Sequence, residues 1–291
     1  MLATVFVVNA QNENRAKALT FYDQGKGNLD SAKAYIDAAC KNKLTATDAY
    51  SWYLRGFIYK DKYKKQERSN TKSPLRLESV YSFKKSMNLD TAKEYLKDNL
   101  KSLQFLANTF RNDVIESHDS LHVNAPANII NSDNKIALEN LRIYKELIAI
   151  ADPTVSIKKI DIDFNGYFGS FFQQVYEQDL REKINFGDTA LVYFKKVLAL
   201  DPDNYDANFG IGLIYYKKAL QLFVDSQYDI DLTELDKKQD EMKSYLFQSL
   251  PYMAKANQLD PNNEKAFKGL CIIYRNLNQA DKFSQFNCKP E

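Results

Sequence analysis

Oxygen-bearing side chains alternate along one short segment, in the order that begins a calcium-binding loop. Asp161, Asp163 and Asn165 lie two residues apart, and Gly166 follows them directly. In an EF-hand loop such ligands precede a glycine that permits a sharp turn, and a bidentate glutamate comes six residues after the glycine. That place holds Phe172, so the ligand shell lacks two oxygens. We therefore expect a helix-capping turn with Asp163 or Asn165 as the cap, and calcium binding is the alternative.

The two histidines, His118 and His122, are spaced four apart beside Glu116 and Asp119. On a helix both imidazoles would lie on one side, and two histidines with a carboxylate can bind zinc. The H-E-x-x-H order of zinc proteases is absent, however, and the pair lies where a predicted helix gives way to a loop. We expect a solvated helix end, whose negative pole favours cationic side chains.

Three cysteines, Cys40, Cys271 and Cys288, form an odd set without a C-x-x-C motif. This argues against a zinc site or a redox motif. Three unpaired, packed thiols are the favoured interpretation. A bridge between Cys271 and Cys288 is the alternative if the protein is exported.

No other pattern indicates catalysis. The sequence has no glycine-rich phosphate loop and no G-x-S-x-G motif. Asp201 and Asp203 fall in a predicted turn, where such residues cap the next helix. The lysine-rich connection Lys60–Lys72 is interpreted as a solvated helix face. We therefore predict a non-enzymatic protein without a metal or cofactor.

The composition limits both the fold class and the partners. The chain has only 9 Gly and 7 Pro, fewer than tight-turned β folds or glycine-looped nucleotide folds need. Its 18 Phe and 19 Tyr exclude a disordered chain. The formal net charge of +2 argues against a nucleic-acid or membrane-surface binder. No stretch approaches 18 uncharged apolar residues, so we predict no membrane span.

Apolar residues recur three and four apart in nearly every segment, so the sequence predicts about twelve helices. Only Ile157–Phe164 alternates with the period of a strand, and His118–Ser132 is expected to be a long loop. Asp30, Ser73-Pro74 and Asp188 are predicted helix starts. The predicted helices span roughly residues 12–24, 28–41, 47–66, 74–88, 91–117, 133–151, 164–182, 187–200, 204–224, 234–258, 262–276 and 279–287.

One motif occurs in three copies with matching spacing. A small first residue is followed by a large residue four places later, a third residue three places after that, and a helix end five places further on. Small residues allow a neighbouring helix to approach, and the large residue fills the gap that they leave. The copies are Ala190-Phe194-Val197-Pro202, Ser249-Met253-Ala256-Pro261 and Ser79-Phe83-Ser86-Thr91.

A second motif begins six residues after each of the two prolines and also occurs near the N-terminus. Its copies are Asn208-Ile211-Gly212-Tyr215, Phe267-Leu270-Cys271-Tyr274 and Trp52-Arg55-Gly56-Tyr59. Together the two motifs resemble the tetratricopeptide repeat (TPR) family, whose helix pairs carry W-x2-L-G-x2-Y, then A-x3-F, then P. The resemblance is clear over 187–291, fair over 28–91 and weak over 92–186, where Phe168, Gly169 and Phe172 are the best remnants. It implies an all-α fold, a right-handed α-solenoid of about six antiparallel helix pairs.

The repeat spacing departs from the family at one place. Pro202 and Pro261 are 59 residues apart, whereas the TPR period is 34, which leaves 25 additional residues. They must lie between the helices of that pair, over Val224–Met242, with Asp225–Asp231 as a loop and Leu232–Ser244 as a helix extension. The expected division is a signal-peptide remnant at 1–10, degenerate helix pairs at 11–155, and C-terminal TPR pairs at 156–291 with an insertion at 224–242.

The resemblance also implies a binding face, because the first helix of each TPR pair lines a concave groove. The corresponding positions form an apolar strip with basic edges, which suits an extended peptide or helix with acidic residues. Neighbouring helices or the insertions can also cover this strip. The predicted groove residues are Tyr53, Phe57, Lys60, Phe209, Leu213, Tyr216, Lys217, Lys268, Ile272 and Arg275.

The predicted function is therefore a non-enzymatic scaffold for an unidentified protein or peptide partner, without nucleic acid. The alternative is an exported small-molecule or glycan-binding protein that uses the groove aromatics and the inserted loops.

The first ten residues resemble the end of a signal peptide. Apolar and small residues lead to Val8-Asn9-Ala10, a loose match to the small-x-small cleavage pattern, but the basic n-region is missing. We expect residues 1–10 to be a signal-peptide remnant, with export to the periplasm of a Gram-negative-like cell and a mature chain that begins at Gln11. A short apolar first element in a cytoplasmic protein is the alternative.

Overall fold

The computed structural model describes residues 2–23, 28–119, 121–180, 182–225, 231–286 and 288. Within these ranges all regular secondary structure is helical, which confirms the predicted all-α fold class. No described helix is long and apolar enough to cross a lipid bilayer. The helices are α1 (Leu2–Asp23), α2 (Leu29–Lys41), α3 (Ala49–Gln66), α4 (Pro74–Leu89), α5 (Leu96–Glu116), α6 (Ala127–Ala151), α7 (Ile157–Gln178), α8 (Ile184–Leu200), α9 (Tyr205–Asp225), α10 (Leu232–Leu259), α11 (Glu264–Asn276) and α12 (Ala280–Gln285), with a 3₁₀ turn at His122–Asn124.

Helices that follow one another in the chain pack together as pairs, namely α1 with α2, α3 with α4, α7 with α8, α9 with α10, and α11 with α12. The contacts divide the chain into two compact units. The first contains residues 1–117 and 133–155, and the second contains residues 118–132 and 156–291. The first unit has a core around Ile36 and Ile58, and the second has one around Met253 and Leu270.

Short polar side chains cap several helix starts. Ser73 Oγ accepts a hydrogen bond from the Arg76 backbone N–H at 3.0 Å, directly before Pro74, as predicted. The other two predicted starts were wrong. Helix α2 is capped by Asn28, so Asp30 lies within its first turn, and α8 begins at Ile184, so Asp188 lies one turn inside it. Asp30 suits the first turn because its charge complements the helix dipole, and the type of residue alone does not identify the cap.

The strand-like segment Ile157–Phe164 is helical. Helix α7 begins at Ile157, and Ser156 Oγ accepts from the Lys159 backbone N–H at 3.2 Å. The buried residues of this region are Ile160, Phe164 and Phe168, which recur every four positions. Apolar residues spaced four apart also occur within an eight-residue alternation of apolar and polar residues. The sequence of this segment therefore fits one face of a helix as well as a strand.

The expected long loop at His118–Ser132 is also only partly correct. A 3₁₀ turn occupies His122–Asn124, and α6 begins at Ala127, six residues earlier than predicted. Pro126 directly precedes this helix, where its fixed backbone angle is compatible with a helix start.

The motif residues pack as the repeat pattern predicts. A Cβ atom placed on Gly56 would lie 2.6 Å from the Phe83 ring, and one on Gly169 would lie 2.7 Å from the Phe194 ring. At Gly212 the neighbour is Met253, whose backbone nitrogen would lie 3.1 Å away. In each of these pairs the large residue of the second helix therefore fills the space that the glycine of the first helix leaves.

Two hydrogen bonds recur at equivalent places. Ser79 Oγ donates to the Gly56 carbonyl at 2.9 Å, and Ser249 Oγ donates to the Gly212 carbonyl at 2.6 Å. Both serines are fully buried. The small first residue of the motif thus joins the helices of a pair at their closest approach, and it does so identically in the α3–α4 and α9–α10 pairs.

The long insertion lengthens one pair along its own axis. Helix α9 ends at Asp225, and α10 begins at Leu232, capped by Asp231, whose carboxylate accepts from the Glu234 backbone N–H at 2.8 Å. The prediction that Leu232–Ser244 extends the second helix is confirmed. Residues 226–230 of the predicted loop lie outside the described residues.

A disulfide joins Cys271 on α11 to Cys288, which follows α12, with a Cα–Cα distance of 5.6 Å. The expectation of three unpaired thiols was therefore wrong, and the bridged alternative is the one that forms. Cys40 is a free thiol in the core of the first unit. Burial raises its pKa to about 12, so it stays protonated and unreactive at neutral pH.

Candidate partner-binding face

In the first unit the predicted groove residues lie against helix α5. Tyr53 and Phe57 are half-buried. The Tyr53 hydroxyl donates to Asp98 Oδ2 at 3.1 Å, and its ring lies 4.8 Å from that of Tyr95. The Phe57 ring packs edge-on against Phe83 at 5.2 Å. Neighbouring helices therefore cover part of the strip in this unit, as the alternative interpretation allowed.

Lys60 is buried, which does not fit a basic residue at the edge of an open groove. Its Nζ atom lies 3.9 Å above the centre of the Phe57 ring and donates to Ser102 Oγ at 3.3 Å. Burial lowers the pKa of this ammonium group to about 8. The aliphatic part of a lysine side chain can be covered entirely when another helix lies over it, and here Ser102 of α5 contacts Lys60.

We expect Lys60→Met to stabilise the protein at pH 7 and to lose that advantage at high pH. Burial lowers the pKa of Lys60 in the folded state to about 8, so below that pH the folded protein holds a desolvated positive charge that reduces its stability. Between that value and the unfolded pKa near 10.5 the folded state releases its proton first, so wild-type stability rises with pH. The gain at pH 7 should be about 1–2 kcal/mol.

Urea unfolding at pH 7 and pH 10 measures this difference. Lys97→Met, an exposed position on α5, is the control and should change stability little at either pH. An equal effect of Lys60→Met at both pH values would contradict the prediction.

In the second unit α9 presents a half-buried apolar column of Phe209, Leu213 and Tyr216. The Phe209 ring stacks on Tyr205 with centroids 5.9 Å apart, and both rings pack against the core of this unit. Phe209 and Tyr216 thus contribute to the core and keep part of their surface exposed. Lys217 forms an ion pair with Glu177 of α7 at 2.9 Å. Its charge is therefore compensated within the unit.

Helix α11 supplies the basic part of the face. Lys268 and Arg275 are exposed, and Ile272 between them is half-buried. Lys268 Nζ lies 2.9 Å from Glu264 Oε2, one turn earlier. Both side chains of that pair are largely exposed, so water screens the contact and the pair can open at little cost. The second unit therefore carries an apolar column on α9 and basic residues on α11, and these two helices contact each other.

The calcium-like segment cannot form the loop that calcium needs. Asp161 to Gly166 lies inside α7, where the Asn165 side-chain amide donates to the Asp161 carbonyl at 2.6 Å. Asp163 lies 3.5 Å from Lys159 across one helical turn. The expected capping turn was therefore also wrong, because the cap of this helix is Ser156.

The two histidines do not share a face. His118 is buried with its ring 4.8 Å from Phe168 and 4.7 Å from Phe171. His122 Nδ1 lies 2.7 Å from Asp119 Oδ1, on the 3₁₀ turn. The expected solvated helix end was therefore wrong, because His118 just after α5 is buried and the partly exposed His122 lies on a separate 3₁₀ turn. Among the described residues no group of three or more His, Cys, Asp or Glu is arranged to hold a metal ion.

Two buried lysines were missed in the sequence. Lys62 on α3 pairs with Asp30 on α2, and Lys218 on α9 pairs with Asp188 on α8. Each lysine lies six residues after the motif glycine of its helix, Gly56 or Gly212. This shared spacing was the available signal. The pairs join the first helix of one pair to the second helix of the preceding pair, so they belong to the packing of the repeats.

Comparisons with known proteins do not assign the chain to a family. No protein-family model matches the chain, and no curated protein matches it. Among solved structures, the complex described as the TPR2AB domain with pHSP90 from yeast Sti1 aligns over 96% of this chain and 88% of that chain, with 12% sequence identity and a TM-score of 0.24. The all-helical chain is compatible with a TPR-like fold. The support for a repeat register is internal, from the recurring glycine contacts and serine hydrogen bonds.

Proposed function

We propose that the protein is a non-enzymatic, TPR-type scaffold that binds a protein or peptide partner through the first helices of its second unit. The observation that carries the proposal is that α9 and α11, two helices in contact, carry a half-buried apolar column centred on Leu213 and the exposed basic residues Lys268 and Arg275, respectively. Such a face suits a segment with one apolar side chain and acidic residues beside it, because the two columns recognise different parts of the same partner.

The predicted groove residues of the first unit are not part of the proposed partner-binding face. Lys60 is buried, and Tyr53 and Phe57 already contact α5 and the helix-pair core. Their contribution to a partner is therefore expected to be small. The residues proposed to touch the partner are Phe209, Leu213, Tyr216, Lys268, Ile272 and Arg275, and Lys217 would take part only after releasing Glu177.

We also propose that the protein is exported to an oxidising compartment such as the periplasm. The disulfide between Cys271 and Cys288 supports this, because such bonds persist where thiols are not kept reduced. Residues 2–10 are helical in backbone and continuous with α1, which is compatible with a signal-peptide remnant and with a retained first helix. N-terminal sequencing of protein recovered from cells expressing the full gene distinguishes the two, and a mature chain beginning at Gln11 is the expected result.

Charge reversal on α11 should weaken partner capture without affecting the fold. Both Lys268 and Arg275 are exposed, so Lys268→Glu with Arg275→Glu should leave the melting temperature nearly unchanged. The affinity for an acidic partner should fall at least tenfold, and more at low salt than at high salt. The measurement is affinity capture from the native cell extract with quantitative mass spectrometry, followed by titration of the captured partner.

Lys237→Glu is the matched control, an exposed lysine on the inserted part of α10. It should not change capture. If the double variant on α11 retains its partners, or if Lys237→Glu has the same effect, the proposed face is not the binding site.

A further inference from the structure

A cavity of about 530 Å³ lies in the first unit, between α2, α3 and α4. Its apolar wall is formed by Trp52, Pro74, Leu75 and Tyr81. The Trp52 and Tyr81 rings meet nearly at a right angle, 82°, with centroids 5.5 Å apart. Tyr81 is 52% exposed, so much of its ring surface is available to a ligand. The volume falls within the range of small-molecule sites.

The polar floor of this cavity departs from the repeat pattern. Arg55 occupies a motif place that holds Ile211 and Leu270 in the other two copies, and all three positions are buried. The charged residue therefore stands where the helix pairs otherwise place an aliphatic core side chain. No requirement of the repeat packing explains this, since the aliphatic residues serve the same place elsewhere in the chain.

A complete set of partners holds Arg55 in place. Its Nε atom donates to Asp37 Oδ1 at 2.8 Å, its NH1 atom to Ser82 Oγ at 2.7 Å, and its NH2 atom lies 2.8 Å from Glu78 Oε2. Asp37 also accepts from the Tyr59 hydroxyl at 2.8 Å. Lys33 completes the network at 2.8 Å from Asp37. Arg55 and Asp37 are therefore held in position before any ligand arrives, and the more exposed Glu78 and Lys33 lie at the edge of the network.

Such a network is a weak source of stability. Removing charged groups from water costs free energy that their mutual attraction only partly returns, and well-packed apolar residues are often equally stable or better. A buried guanidinium with partly exposed charged partners, at the floor of an open cavity and in place of an aliphatic residue, is therefore more simply explained by ligand recognition than by folding.

The chemistry of the lining selects the class of ligand. Within the network the two acidic groups, Asp37 and Glu78, are balanced by Arg55 and Lys33, so the floor itself offers a charged ligand little net attraction. Lys41 adds one exposed positive charge to the lining, and the charged probes below test what it contributes. Rigid carboxylate and guanidinium groups are suited to adjacent hydroxyls, which both donate and accept hydrogen bonds. The exposed aromatic ring of Tyr81 suits a flat face of C–H groups. A pyranose ring has both features.

We propose that this cavity binds a neutral saccharide unit, with its hydroxyls on the Asp37–Arg55–Glu78 network and its C–H face on Tyr81. This site uses different residues from the partner-binding face of the second unit. It does not depend on the proposed peptide-binding function, and each can fail without the other.

The test is saturation-transfer NMR with titration calorimetry on the full chain. The neutral probes are the methyl glycosides of glucose, galactose, mannose and N-acetylglucosamine, and the charged probes are galacturonate and inorganic phosphate. At least one neutral glycoside should bind saturably. Tyr81→Ala should weaken it at least tenfold, and so should the double variant Arg55→Leu with Asp37→Leu, which installs aliphatic residues in the network.

The matched control is Leu77→Ala, one turn earlier on α4 and similarly exposed at 46%, but outside the cavity lining. It should bind as the wild type does. If the double variant fails to fold, Tyr81→Ala alone tests the proposal, because a substitution at this half-exposed ring should leave the fold intact. The proposal is overturned if no neutral glycoside binds, if only the charged probes bind, or if binding survives Tyr81→Ala.

Discussion

Gly56→Leu should destabilise the first unit by about 3 kcal/mol, at the upper end of the usual cost of overpacking a core. A Cβ atom alone would lie 2.6 Å from the Phe83 ring, a distance that side chains do not tolerate. Phe83 is fully buried and cannot move aside without disturbing the α3–α4 contact. Gly212→Leu should act in the same direction, because its obstacle is the Met253 backbone as well as the side chain. Thermal and urea unfolding measure both effects.

Gly166→Ala is the matched control, since Gly166 also lies inside a helix but an added Cβ there would have no atom within 4 Å beyond its own local backbone. Alanine there should raise stability by up to about 1 kcal/mol, because it has the higher helix propensity. If Gly56→Leu and Gly212→Leu were as well tolerated as Gly166→Ala, the repeat register would be wrong.

Cys288→Ser should lower stability by about 3 kcal/mol, the entropic cost expected for releasing a loop of this size. The bridge spans 17 residues and holds Cys288, which follows α12, against α11. Helix α12 has only six residues, too few to stay helical without tertiary support. Its Phe283 and Phe286 pack on the core of the second unit and should detach with it.

Reduction provides the internal control for this prediction. Dithiothreitol should lower the melting temperature of the wild type to that of Cys288→Ser, and it should have no effect on the variant. Alkylation of the unfolded, unreduced protein should label one thiol, that of Cys40. Labelling of all three cysteines without reductant would show that the bridge is not formed.

The repeat register was predictable because its evidence is local in the sequence. A glycine on the first helix, and on the second a serine with a large residue four places later, determine how two neighbouring helices meet, as Gly212, Ser249 and Met253 do. The long α10 followed from the same spacing, since the additional residues had to lie within one pair. Helix pairing therefore needed no knowledge of distant contacts.

What the sequence could not predict depends on distant contacts or on competing local signals. Pairing of Cys271 with Cys288 requires α12 to fold back on α11, which spacing alone does not show. The burial of Lys60 depends on the position of α5, a helix from the weakest part of the repeat pattern. At Ile157–Phe164 the local pattern fitted two structures, and packing of Phe164 and Phe168 favoured the helix.

In the elongated α9–α10 pair, the contact between the two helices and the length of the pair are determined at different places. The closest approach of the two helices is determined near Gly212 and Ser249, whereas the length of the pair is determined at its far end. Residues can therefore be gained or lost at that end while the spatial period of the array stays the same. A sequence profile that assumes one fixed repeat length would miss such a chain, even if the contacts between its helices were of the usual type. Alignments that score each helix pair separately, and allow gaps between the paired helices, should detect related chains that fixed-period searches miss.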